Sequence, residues 1–305
     1  MALPLFHSFF TQSMFSQFYP PASTFVPERD IPDQSGKIVL VTGGNSGVGY
    51  ETVKQLLLKN AKVYLAARDP VRAHDAANRL KSETEGREPI VLELDLADLT
   101  SVRKGAEEFL SKETTLHILY NNAGAVWVPV EMVTKQVYDL AFGTNVLGHF
   151  FLTVLLMPAL AQARVKTGHR ARVINVSSSA HVPTLSPDAV DYETLVSGPG
   201  RDQAAKKHGS YALYAQSKMG VILLSHLLHR HHSDKVISIS LNPATLTHLP
   251  TGALTQLYAG TADGEFEGGE YLIPWARRGV PDPRTKVVAY QDKLWDWLNE
   301  QVKPF

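Results

Sequence analysis

The sequence predicts an α/β domain built on a doubly wound parallel sheet. Three observations carry this. Short apolar runs alternate with helical patterns along most of the chain, which is the rhythm of βαβ units. One of those runs, Val39-Leu40-Val41, ends in the glycine-punctuated turn Thr42-Gly43-Gly44-Asn45-Ser46-Gly47-Val48-Gly49 and passes at once into a helical segment. Hydrophobic residues make up 44% of the 305, which allows a sizeable core in one large domain with additions.

Residues 1–36 read as an N-terminal arm and 37–305 as the domain. Met1 to Pro27 holds no Lys, Arg, Asp or Glu but carries Phe6, Phe9, Phe10, Phe15, Phe18, Tyr19 and Phe25. A secretory signal needs a basic start and an unbroken apolar run. Here Ser8, Thr11, Gln12, Ser13, Ser16 and Gln17 interrupt it, and the stretch is too polar to span a bilayer. Without a cationic face, membrane contact is not expected. The arm is expected either to pack over the domain or to form a loose tail. Basic and acidic residues balance at 30 each, which gives no electrostatic case for nucleic acid. Cysteine is absent, which rules out disulfides and thiolate chemistry and fits a cytoplasmic location.

Lys37 to Val41 reads as the first strand. The helix after the glycine turn places Val53, Leu56 and Leu57 on one face and ends near Asn60. Lys62 to Ala66 is a second strand, and Asp69-Pro70 reads as an N-cap followed by proline at the first helical position. Pro89 to Leu94, Leu116 to Tyr120, Arg172 to Val176 and Val236 to Leu241 complete the strands. Asp98 to Lys112, Thr134 to Leu160 and Tyr211 to Arg230 are expected to be helical. Three stretches break the rhythm: an insertion over 180–210, a flap with few strong helix formers over 244–269, and an aromatic C-terminus, expected as a cover, that begins at Tyr271 and holds Trp275, Trp295 and Trp297.

The glycine turn points unpaired N–H groups and a helix dipole at one spot, which suits a phosphate. Its spacing is neither the G-x-G-x-x-G fingerprint nor a P-loop. Tyr214 and Lys218 sit four apart on one predicted helix face. A nearby ammonium would favour the phenolate and lower a tyrosine pKa, but an ordinary pair on a solvated face has the same spacing. Ser177-Ser178-Ser179 follows a strand at the edge where such sheets bind ligands, and could equally cap the next element. Asn121-Asn122-Ala123-Gly124 follows another strand at that edge. Asn145 lies in an apolar helix, where it needs partners from a ligand or from backbone. His226, His229, His231 and His232 sit at a predicted helix C-terminus, where cations suit the dipole, so no metal site is expected.

Taken together, these stretches resemble the short-chain dehydrogenase/reductase family, in particular its retinol-dehydrogenase-like branch and fungal reductases of secondary metabolism. The resemblance is carried by Thr42-Gly43-x-x-x-Gly47-x-Gly49, Asp95, Asn122-Ala123-Gly124, Asn145-x-x-Gly148-His149-Phe150, Ser178 and Tyr214-x-x-x-Lys218, in the family's order. It implies a Rossmann-type domain. It also implies that Tyr214 exchanges the proton at the substrate oxygen, and that Lys218 lowers the Tyr214 pKa and bonds the nicotinamide ribose. Ser178 would polarise the carbonyl, and Asn145, at a helix irregularity that frees its backbone carbonyl, would hold a relay water. Ser178 and Tyr214 lie further apart than is usual in the family, so the insertion is expected to loop towards the substrate.

The cofactor site would comprise Gly43, Asn45, Ser46, Gly47, Val48 and Gly49 at the pyrophosphate, Asp95 and Leu96 at the adenine, and Asn122, Ala123 and Gly124 on the adenosine side. Tyr214 and Lys218 would complete it, with Pro243 and Thr247 after the sixth strand. An NAD site places a carboxylate after the second strand, where this chain has Ala66-Ala67-Arg68. Arg68 can fork a 2′-phosphate and Arg72 lies one turn on, so NADP(H) is favoured. Ala244 stands where the family has glycine, which leaves the placement of Thr247 open.

The expected function is NADP(H)-dependent interconversion of a ketone or aldehyde and an alcohol on a lipophilic small molecule such as a secondary metabolite. Two other readings stay open: a non-redox cyclisation, isomerisation or dehydration with NADP bound, and a cofactor-sensing module. Self-association as a homo-oligomer is also left open.

Overall fold

A computed structural model describes residues 15–182, 186–243, 249–263 and 266–305. Among these, eight strands form one sheet: β1 (Ile38–Thr42), β2 (Lys62–Ala67), β3 (Ile90–Glu93), β4 (Ile118–Asn121), β5 (Ala171–Val176), β6 (Val236–Leu241), β7 (Tyr271–Ile273) and β8 (Arg277–Arg278). Their order is β3-β2-β1-β4-β5-β6-β7-β8. All neighbouring pairs are parallel except β7 with β8. The chain builds outward to one edge through β2 and β3, then crosses back to start β4 beside β1. The carboxyl ends of β1 and β4 therefore flank a crevice, the switch point at which Rossmann-type sheets bind ligands.

The sheet is buried on both faces because its central strands carry apolar side chains on both sides. Leu40, Tyr64, Leu92, Leu119 and Val173 face one layer of helices. Val39, Val41, Val63, Leu65 and Ile174 face the other. Full burial of each such side chain contributes roughly 1.5–3 kcal/mol. The first layer consists of α4 (Leu99–Lys112), α6 (His149–Thr167), α8 (Ser210–His232) and α11 (Val288–Val302). The second holds α2 (Gly47–Leu58), α3 (Pro70–Glu83) and α10 (Leu254–Thr261). The run Leu140–Thr167 is apolar and long enough to cross a bilayer, but 72% of that window is buried against this fold.

Three expectations differ from the structure in detail. The helix expected from Thr134 starts at α5 (Leu140–Phe142), because the chain first turns back on itself with Val133 bridging Asp139. A π-helical turn, Gly143–Gly148, then precedes α6. Tyr271–Ile273 is a seventh parallel strand rather than a cover, since its three residues are all buried beside β6. Only α11 covers, with Trp295 against Phe150 and Trp297 against Phe142.

The described part of the stretch expected as a flap forms α9 (Leu249–Gly252) and α10, with Leu254, Leu257 and Ala259 buried; residues 244–248 and 264–265 lie outside the described residues. At Gly260 an added Cβ would lie 1.9 Å from the Tyr120 hydroxyl, so glycine there serves close packing. Within the insertion, α7 (Pro199–His208) buries Arg201, which pairs with Asp139 at 3.2 Å. The described part of the arm is packed: residues 15–18 make a helical turn, α1 (Pro27–Asp30) follows, and Phe25 and Ile31 enter the core.

Candidate active site

A single cleft of about 1250 Å³ runs along the carboxyl edge of the sheet. That exceeds the 300–1,000 Å³ typical of a small-ligand pocket and leaves room for two molecules end to end. At one end is the turn between β1 and α2. Gly43 and Gly47 take φ of +67° and +58°, left-handed values that side chains resist. A Cβ on Gly49 would lie 2.3 Å from the Gly43 carbonyl oxygen and 2.5 Å from Asn122 Nδ2. Ser46 at the N-cap of α2 makes no side-chain capping bond, so its hydroxyl does not fill the helix N-terminus. Asn45, Ser46 and Val48 line the cleft there; Gly47 shapes the turn without lining it.

Thr42 pins the neighbouring strand end. Its Oγ1 accepts from the N–H groups of Asn122 and Ala123, both at 2.9 Å, and Asn122 Nδ2 donates to the Thr42 carbonyl at 2.8 Å. Ala123 and Gly124 continue the wall. Asp95 Oδ1 accepts from Ala97 N at 3.0 Å, fixing the loop that presents Asp95 and Leu96 to the cleft.

Beyond β2, Asp69 is spent as a cap, its Oδ1 accepting from the N–H groups of Val71 and Arg72 at 3.0 and 3.1 Å. Arg72 reaches back to Asp69 at 3.5 Å. Arg68 is exposed at the cleft wall and has no hydrogen-bond or ion-pair partner among the described residues.

The other end of the cleft gathers Ser178, Tyr214 and Lys218. Ser178 caps the turn Ser179–His181, its Oγ accepting from Ala180 N at 3.1 Å, and it stands near enough to Tyr214 to hold that residue's pKa down. Ser178 therefore both caps a turn and lines the cleft. Lys218 is buried, and its Nζ donates to the Val176 carbonyl at 2.8 Å. Burial draws its pKa down to about 8.

Tyr214 moves opposite to the expected direction. Burial raises its pKa, Ser178 lowers it, and Tyr211 raises it. Lys218 Nζ stands 5.7 Å from the Tyr214 ring centroid with its hydrogen bond committed to Val176, so desolvation prevails.

Asn145 is fully buried and lies behind the cleft wall rather than in it. Its Nδ2 donates to the Ala125 carbonyl at 3.1 Å and to Ser217 Oγ at 2.8 Å, and its Oδ1 accepts from Ala125 N at 2.8 Å. A Cβ on Gly124 would fall 3.3 Å from Asn145 Oδ1 and 3.5 Å from Lys218 Nζ, so glycine there lets the wall pass between them. The expected helix irregularity is present as the π turn, but the Asn145 carbonyl is not left free: His149 Nδ1 lies 3.0 Å from it. Pro243 lines the cleft; Thr247 lies outside the described residues.

Other residues of the cleft escaped the sequence reading. Trp127 is 63% exposed, with its ring edge-on to Tyr214 at 6.5 Å and tilted to Tyr211 at 6.3 Å. Val126 and Met132 extend this apolar patch. Gln17 and Phe18 of the arm line the cleft too; Gln17 Oε1 accepts from Asn242 Nδ2 at 2.9 Å. Thr144 Oγ1, in the lining, is buried without a partner among the described residues. No periodicity or motif marks these positions; only the exposure of large apolar side chains does. The glycine cradle, the helix end without a side-chain cap and the unpaired Arg68 fit a dinucleotide with a phosphate at its adenosine end.

Comparison with known proteins places this geometry among relatives. Residues 37–187 match a family model described as short chain dehydrogenase. A short-chain dehydrogenase/reductase of Armillaria gallica is 48% identical over 96% of this chain and 98% of its own length. One from Phomopsis amygdali is 34% identical over 96% of this chain and 97% of its own. Among solved structures, an uncharacterised Mycobacterium paratuberculosis protein superposes with a TM-score of 0.74 at 29% identity, covering 92% of this chain and 97% of its own.

Proposed function

From the chain's membership of the short-chain dehydrogenase/reductase family, we propose that this oxidoreductase uses NADP(H) to interconvert a carbonyl and an alcohol on a lipophilic small molecule. The observation that carries the reading is the convergence of Ser178, Tyr214 and Lys218 on the same cleft that the glycine turn closes at its far end.

When bound, the dinucleotide supplies or accepts the hydride. The chain's own residues do the rest. The turn from Gly43 to Gly49 and the α2 N-terminus would hold the pyrophosphate, and Asp95, Leu96 and Asn122 to Gly124 the adenosine. Arg68, with Arg72 beside it, would hold a 2′-phosphate, while Asp69, committed to its cap, offers no free carboxylate to a 2′-hydroxyl. Ser178 Oγ hydrogen-bonds and polarises the substrate oxygen. Tyr214, its pKa raised by burial, rests as the neutral phenol near pH 7 and gives its proton to the forming alkoxide, which favours the reductive direction. Lys218 would stabilise the phenolate left behind, and Asn145 braces the wall at Ala125.

Trp127, Tyr211, Met132 and Phe18 give the substrate end a broad apolar surface, which suits a flat or extended apolar ketone of the kind made in secondary metabolism. A panel of aromatic and aliphatic ketones with NADPH tests the proposal. Consumption of one NADPH per alcohol formed is expected. Product formed without NADPH consumption, or tight NADPH binding with no turnover across the panel, would overturn it.

A further inference from the structure

His149 is the first residue of α6 and is fully buried, away from the cleft surface. Its two ring nitrogens join groups from opposite ends of the site. Nε2 lies 2.9 Å from Thr42 Oγ1, at the end of β1, and Nδ1 lies 3.0 Å from the Asn145 carbonyl oxygen in the π turn. Counting hydrogens fixes how these bonds run. The Thr42 hydroxyl has two lone pairs and one hydrogen. Both lone pairs are taken, by the N–H groups of Asn122 and Ala123. Its hydrogen must therefore be donated. The His149 nitrogen at 2.9 Å is a closer acceptor than the Tyr120 carbonyl at 3.2 Å.

Nε2 then carries the lone pair, so the proton of the neutral ring is on Nδ1 and faces the Asn145 carbonyl. The other tautomer would set a lone pair against that carbonyl and an N–H against an oxygen with nothing left to accept it. Burial, together with the nearby charge of Lys218, holds the ring pKa down to about 4, so the imidazole is neutral at physiological pH. The π turn explains why the carbonyl needs this donor. In an α-helix the Asn145 carbonyl would take the N–H of His149, but that N–H goes to Val146 instead. The residue whose main chain withdraws from Asn145 returns to it through its side chain.

We propose that His149, as the Nδ1–H tautomer, is a positioning residue that holds the Asn145 carbonyl and ties it to Thr42, where β1 enters the phosphate loop. The ring fixes the direction of the Asn145 carbonyl behind the cleft wall. The phosphate end and the proton-handling end of the cleft are thereby joined through one buried ring.

Long-range 1H–15N spectra of the intact chain labelled on histidine, with the His149 signal identified from His149→Gln, test the wiring without substrate. The Nδ1–H pattern is expected and should not titrate from about pH 8 to about pH 5. An Nε2–H pattern, or titration near the ordinary histidine value, would overturn the proposal. The kinetic arm rests on the redox reading above. His149→Phe should bind NADPH within about threefold of the wild type, lower kcat about tenfold and shift the pH profile of kcat. His149→Gln, which keeps a donor and an acceptor, should recover most of that loss. A wild-type pH profile in a folded His149→Phe, or a folded His149→Gln no better than it, would overturn the positioning role. Absence of turnover in the wild type would sink the redox reading and leave the spectral test to decide this one.

Discussion

At the end of the cleft proposed for the phosphates the lining is main chain: the turn from Gly43 to Gly49, the α2 N-terminus and a strand end pinned by Thr42. At the end proposed for the substrate the lining is side chains drawn from stretches far apart in sequence: Phe18, Trp127 with Met132, Ser178, and Tyr211 with Tyr214. The first arrangement needs particular backbone angles and close approaches, which few residues other than glycine allow. The second needs only apolar bulk at the right place, which many residues supply. One end can therefore stay constant in chemistry while the other varies with the substrate.

Substitutions at the two ends should separate cleanly. The largest effect is expected at Gly49→Ala, where the added carbon would collide with the Gly43 carbonyl and the Asn122 side chain. Calorimetric titration should find NADPH affinity lowered by about a hundredfold or more in a protein that keeps its secondary structure. Affinity within a few-fold of wild type would mean that the turn has slack and is not a backbone cradle. Next comes Arg68→Ala, which should weaken NADPH about 10- to 100-fold and leave NADH nearly unchanged. Equal losses for both would remove the 2′-phosphate argument.

At the other end, Trp127→Ala should raise KM for an aromatic ketone several-fold, to about tenfold, with NADPH affinity unaltered. A change in NADPH affinity instead would merge the two ends. The smallest effect is on stability. Burial holds His149, His181 and His226 near pKa 4, below the ordinary 6.5. The unfolded chain therefore takes up protons first as pH falls. Stability present above about pH 6.5 should decline towards pH 4, with Tm dropping by several degrees. A flat Tm over that window would mean these rings are not buried neutral.

The same contrast explains what could be read from the chain alone. The βαβ rhythm, the Asp69 cap and the glycine turn are local patterns, and each appears where residue type demands it. Tyr214 and Lys218 were legible because their spacing fits one helix face. Gln17 and Trp127 carry no local signature; only the fold brings them to the cleft. The Tyr271 strand was read as a cover because three residues are too few for a period, and it takes β6 beside it to make them a strand. The raised Tyr214 pKa was missed for a related reason: sequence spacing locates a charge but says nothing of the burial that opposes it.

The central claim, that the two ends of the cleft serve one redox step at Tyr214, is tested most directly by Tyr214→Phe. NADPH binding and NADPH-coupled ketone reduction would be measured on the same preparation. The variant should bind NADPH within a few-fold of wild type and lose turnover by about 10²- to 10⁴-fold, the usual worth of a general acid. Turnover retained at near wild-type level, or NADPH binding lost in a folded variant, would contradict it.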